Sequence, residues 1–133
     1  MGIDGHPVLG RMQAVPLFRE NGMAFVDAGE GWAELQFEPT ERANNFYGFV
    51  HGGVWLLVAD SAMGGALSTL APEEQQVITT QLDFRWLRKF AGQCATARGR
   101  VLHRGRTVSH CEVEIVDADG KAVARGSGTY VVV

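Results

Sequence analysis

The chain has 133 residues, 46% of them apolar and 20% charged, with a formal net charge of −3. This length suffices for one domain with its own core, and the composition excludes a disordered chain. The negative balance argues against nucleic acid as a general partner. One domain is therefore expected over 1–133, with residues 1–21 as an N-terminal helical extension.

In chain order, residues 7–21 suit a short helix interrupted near Pro16. Residues 23–38 suggest a hairpin: Ala33, Leu35 and Phe37 alternate with polar neighbours, and Gly29-Glu30-Gly31 supplies the turn. A polar loop follows to Val50. From His51-Gly52-Gly53 the chain runs VWLLVADSAMGGALSTL, where Asp60 and Ser61 are the only polar residues before Ser68. A helix apolar on nearly every side is a buried helix. Gly64 and Gly65 within it suggest close packing of another backbone. Beyond Pro72 the pattern is strand after strand, with Ile78, Leu82, Phe84 and Trp86 expected on one face. Strands follow over 93–104, 106–117 and 121–133, the last two joined at Asp119-Gly120. One helix of this kind must be wrapped by its sheet, which predicts an α+β hotdog: a curved antiparallel sheet around one long central helix.

Cys94 and Cys111 make no disulfide framework and have no metal-ligand spacing, and the four histidines show none either. No metal and no cofactor is expected. The N-terminus lacks a basic stretch followed by an apolar run, and the longest apolar run, Val54 to Ala59, is far too short for a membrane span. A cytoplasmic location is expected.

Two features point to chemistry. Gly52 and Gly53 open the buried helix, so unpaired N–H groups and the positive end of the helix dipole are available to an oxyanion or a polarised carbonyl. Asp60, a carboxylate inside an apolar helix, is costly unless it is paired, protonated or put to use. Eight residues separate Gly52 from Asp60, about 12 Å along a helix. One reacting carbonyl cannot touch both in the same chain. If both act together, the helix start of one subunit meets Asp60 of another, and an obligate dimer follows, with pairing of dimers into a tetramer as the further expectation. Seven of the twelve basic residues lie between Arg85 and Arg106, a window without acidic residues, which suits a ligand bearing several phosphates.

Asn45-x-x-Gly48-x-x-His51-Gly52-Gly53, followed by Asp60, resembles the signature of PaaI-type hotdog thioesterases. Thr79-x-x-Leu82 leading into Trp86-Leu87-Arg88, the turn His103-Arg104-Gly105-Arg106, and Gly126-Ser127-Gly128-Thr129-Tyr130 resemble later parts of that family. The resemblance implies hydrolysis of an acyl- or aryl-coenzyme A, the thioester being substrate and not cofactor. Asp60 would be base or nucleophile, and the Gly52 N–H would polarise the carbonyl. Asn45 would position water or thioester, His51 would line the pocket and Thr79 would orient water. Gly53, Arg88, Arg104 and Arg106 would contact the substrate, the arginines through the phosphates of coenzyme A. The chain departs from the family at Lys89, where a proline is usual, and in the aromatic loop Phe46, Tyr47 and Phe49. A hotdog dehydratase or hydratase using His51, and a non-catalytic acyl-coenzyme A sensor, are the rival readings.

Overall fold

The computed structural model describes residues 2–90 and 92–133. Two short helices come first, α1 (Pro7–Gln13) and α2 (Pro16–Glu20), each with proline in its opening turn, where a missing N–H costs nothing. The hairpin is β1 (Met23–Gly29) and β2 (Trp32–Phe37), turned at Glu30-Gly31 with Gly31 at a φ of 80°. A 3-10 turn at Glu41–Ala43 leads to the long helix α3 (Gly52–Ser68). Four strands complete the chain: β3 (Val77–Trp86), β4 (Ala95–Arg104), β5 (Val108–Val116) and β6 (Ala122–Val132).

All six strands join one antiparallel sheet in the order β1-β2-β4-β5-β6-β3. Helix α3 touches every strand of it. Val58, Ala59, Ala62, Met63, Ala66 and Leu67 are buried against Leu35, Phe37, Ala97, Cys111 and Ile115 from the sheet. The hotdog expected from the apolar helix is the fold found. Leu9 of α1 and Phe18 of α2 enter the same core. Among the described residues no helix is long and apolar enough to cross a membrane.

Two local expectations need correction. Neither Gly64 nor Gly65 packs against another backbone. A Cβ on Gly65 would lie 2.6 Å from the Phe25 ring, whereas one on Gly64 would meet nothing within 4 Å. The close backbone approach comes from the sheet, where a Cβ on Gly99 would sit 2.3 Å from the Ala62 carbonyl oxygen. In β3, the register against β6 shifts between Thr79 and Gln81, leaving Thr80 as an extra residue. The bulge reverses the alternation. Val77, Leu82 and Phe84 pack on the core, while Ile78, expected beside them, is exposed.

Candidate active site

The loop before α3 ends at His51, whose extended backbone makes it the N-cap. Its Nδ1 accepts the Gly53 N–H at 2.8 Å, which satisfies one of the donors a helix start leaves open. Gly53 is thereby occupied within the chain. The Gly52 N–H donates to no group among the described residues, and the helix dipole reinforces it. The Gly52 carbonyl accepts from Trp86 Nε1 at 3.1 Å, which fixes this first turn to the end of β3. Asn45 holds the loop itself: its side-chain oxygen accepts the Tyr47 and Phe49 N–H groups at 3.0 and 3.2 Å, an Asx turn. Only its Nδ2 is left to donate elsewhere. Asn45, Phe49, Gly52, Trp55, Trp86 and Lys89 contribute to a groove of about 370 Å³. Phe46 is 88% exposed and its ring stacks on Tyr47 with centroids 4.0 Å apart.

Asp60 sits two turns further along α3, half-buried. Its partner is neither Ser61 nor an arginine. Thr79 Oγ1 donates to Asp60 Oδ1 at 2.8 Å, and Tyr130 Oη donates to the same oxygen at 2.9 Å. The sheet explains why both arrive together, since Thr79 on β3 and Tyr130 on β6 are direct cross-strand partners. The Thr80 bulge turns Thr79 toward the helix. Oδ2 accepts no hydrogen bond among the described residues, so one carboxylate oxygen is anchored and the other is open to chemistry. Burial first, and the Asp60 charge second, push the Tyr130 phenol well above the ordinary tyrosine range, so it stays a donor. Asp60 opens into a second groove of about 610 Å³, to which Val8, Met12, Gly64, Ile78 and Thr79 contribute together with Glu74 and the ion pair of Arg11 and Glu73.

The predicted residues thus fall into two separate grooves of one chain. Asn45 and Gly52 line one groove, Asp60 and Thr79 the other, and the two grooves share no lining residue. Their ends of α3 lie about 12 Å apart. The basic window also divides in space. Arg98 pairs with Glu34 at 3.5 Å and Arg100 with Glu112 across the outer, solvent-facing side of the sheet. Arg88 joins Lys89 at the Gly52 groove but is tied to Asp117 at 2.8 Å. Lys89 lies over the Phe49 ring, 3.9 Å from its centroid. Arg104 donates to the Gly105 carbonyl, at the β4–β5 turn that Arg106 shares. That turn belongs to the Asp60 end, because Val132 bonds Thr107 and pairs with Val77. The sequence gives Tyr130 no role in the site, since Gly126-Ser127-Gly128-Thr129-Tyr130 marks a closing strand that resembles the family and nothing there singles out the tyrosine.

An apolar helix wrapped by an antiparallel sheet defines a hotdog protein, here with a free N–H at the helix start and an anchored carboxylate in its middle. The family profile described as Thioesterase superfamily matches residues 47–124, and the chain belongs to that superfamily as a PaaI-type thioester hydrolase. It is 29% identical over 101 residues to the 1,4-dihydroxy-2-naphthoyl-CoA hydrolase of Listeria monocytogenes, covering 75% of this chain and 81% of that one. It is 28% identical over 104 residues to the acyl-coenzyme A thioesterase PaaI of Escherichia coli, covering 77% and 72%. The crystal structure of a thioesterase family protein from Silicibacter pomeroyi matches with a TM-score of 0.88 at 25% identity over 97% of both chains.

Proposed function

We propose that this chain hydrolyses an acyl- or aryl-coenzyme A thioester to the free acid and coenzyme A, in a site shared between two subunits. The observation that carries this reading is Asp60, anchored through Oδ1 and open at Oδ2 beside a partly apolar groove. The thioester oxygen takes the Gly52 N–H of one subunit, which stabilises the negative charge that grows on it. Asp60 Oδ2 of the partner subunit either removes a proton from the attacking water or attacks the carbonyl carbon itself. The C–S bond then breaks, and the thiolate leaves without needing a protonated acid; where Asp60 itself attacked, water then cleaves the mixed anhydride to release the acid and restore the carboxylate. His51, beside the Gly52 groove in sequence but not among its lining residues, is left as a donor, because its Nδ1 is engaged by Gly53 and the remaining proton is assigned to Nε2. That assignment disfavours a hydratase, which would need His51 as proton acceptor.

The assembly follows from β3. It is an edge strand with Ile78 and Trp86 exposed, and an exposed edge of ten residues invites pairing. A second copy adding antiparallel through its own β3 sets the start of one strand against the end of the other. Thr79 and Asp60 of one subunit then approach Trp86 and Gly52 of the other. The Asp60 groove carries Glu73, Glu74 and an Arg11 already paired with Glu73 at 3.3 Å, whereas Arg88 and Lys89 flank the Gly52 groove with no acidic residue in its lining. We therefore assign the coenzyme arm to the latter and the acyl group to the former, with Arg104 and Arg106 as further phosphate contacts reached from the partner's turn. The reading takes 1–133 as one domain acting in the cytoplasm, where such thioesters occur.

The test is thiol release from a panel of acyl- and aryl-coenzyme A substrates by wild type and Asp60→Asn. Turnover should fall by about 100-fold or more in the variant, a loss of about 2.7 kcal/mol or more of transition-state stabilisation. Unchanged turnover would show that the chemistry lies elsewhere. Coenzyme A binding without turnover of any thioester would favour a sensor.

A further inference from the structure

Asp60 is held from two sides, by Thr79 and by Tyr130, and the second holder is given no role in the site by the sequence. Tyr130 is 1% exposed, and its hydroxyl reaches both Oδ1 of Asp60 (2.9 Å) and the Asp60 backbone carbonyl (3.3 Å). A buried phenol needs a hydrogen-bond acceptor, and here the acceptor is the carboxylate that faces the groove. Room for the ring is built into the strand. A Cβ on Gly128 would lie 2.8 Å from Tyr130 Cε1 and 3.0 Å from its oxygen, so the absent side chain of Gly128 lets the phenol lie flat toward α3. Thr79, the other donor, is exposed and sits next to a bulge, whereas Tyr130 lies in the core between β3 and β5. Ser109, its cross-strand partner on β5, is wholly buried and its hydroxyl has no partner among the described residues, so it does not compete for the phenol.

We infer that Tyr130 is a positioning residue of the thioesterase reaction: its hydroxyl locks Oδ1 of Asp60, so that Oδ2 alone is presented to water or substrate in a fixed rotamer. The inference rests on the proposed role of Asp60. Tyr130 touches no reacting atom. It acts through the carboxylate, by removing the χ2 freedom that would otherwise exchange the two oxygens and by keeping the open one aimed into the groove. Its high phenol pKa is consistent with a donor that does not change state over the working pH range.

The experiment is Tyr130→Phe, which keeps the ring and removes one oxygen, made alone and in the Asp60→Asn background. The single variant should lose about 10-fold or more in kcat with KM within about twofold, and in the Asp60→Asn background the same change should cost nothing further. An unchanged kcat for the folded protein, or an equal cost in both backgrounds, would overturn the inference, since a purely structural tyrosine does not depend on Asp60. If Tyr130→Phe fails to fold, a ring-fluorinated tyrosine at 130 replaces it. That residue keeps the shape but alters donor strength, so a changed kcat at unchanged melting temperature supports the role and an unchanged kcat refutes it. If wild type hydrolyses no thioester, the proposed function has failed independently. The contact is then read from the carboxylate stretch in isotope-edited difference infrared spectra of wild type against Tyr130→Phe. A shift of that band keeps Tyr130 as the anchor of Asp60, and no shift removes it.

Discussion

Gly52 contributes a backbone atom, so its role is tested by a substitution that removes the N–H and spares the helix. Gly52 is the first helical residue, the position where proline is best tolerated, and His51 before it has φ −61° and ψ 138°, which a following proline accepts. Gly52→Pro should therefore fold with little loss of stability while turnover falls by roughly 100-fold or more, the usual effect of losing one oxyanion donor. Gly52→Ala is the control. It keeps the N–H, and its Cβ would meet Trp86 Nε1 at an ordinary 3.5 Å, so most activity should remain. Comparable losses in both variants would mean that bulk at this spot matters and the donor does not. The two residues on which the proposal rests, Gly52 and Asp60, stand out in the sequence because each is anomalous there: glycines opening a buried helix, and a carboxylate inside it. Tyr130 was not legible, because a tyrosine in a closing strand is ordinary and only the strand register sets it across from Thr79. Asn45 was visible but incompletely, since its oxygen serves the loop that carries the aromatic side chains.

The helix is where sequence pattern and packing part company. Gly64 and Gly65 are adjacent and identical, yet they face different surroundings. Gly65→Ala drives a methyl into the Phe25 ring and should destabilise by about 1–3 kcal/mol. Gly64→Ala meets open space and should gain up to about 1 kcal/mol from helix propensity, both read by urea denaturation. The open space is the Asp60 groove, so a larger side chain at 64 should raise KM for bulky acyl groups more than for acetyl. In β3 the period-2 reading failed for a definite reason. A bulge inserts one residue, nothing in Ile78-Thr79-Thr80-Gln81 announces it, and every residue before it changes face. At the β5–β6 hairpin, Asp117 accepts the Lys121 and Asp119 N–H groups and pairs with Arg88. The Lys121 N–H above all, then that of Asp119 and the charge of Arg88, hold its carboxyl below the usual carboxylate range. A carboxyl depressed on folding contributes stability that is complete above its ordinary pKa and is lost as pH falls through the lowered one. The melting-temperature difference between wild type and Asp117→Asn should accordingly shrink as the solution is acidified.

At the scale of the molecule, the single chain carries two separate grooves and one exposed edge strand that leads past both. Thr79 and Trp86 mark the two halves near opposite ends of β3, and Trp86 holds the Gly52 turn while Thr79 holds Asp60. The proposed twofold pairing of that edge would join unlike halves, which gives a complementation test. Asp60→Asn retains an intact Gly52 half, and Gly52→Pro retains an intact Asp60 half. Each variant alone should be nearly inactive. When the two are unfolded, mixed in equal amounts and refolded, half of the dimers should be mixed, and each mixed dimer holds one site with both intact halves and one with neither. The mixture should therefore recover about a quarter of wild-type turnover, as random pairing in a twofold dimer requires. Recovery should appear only after subunit exchange and should fail for either variant refolded alone. If Gly52 and Asp60 of the same chain worked together, every site in the mixture would carry one lesion and nothing would be recovered. Activity that returned while sedimentation showed only monomers would instead dismiss the shared site.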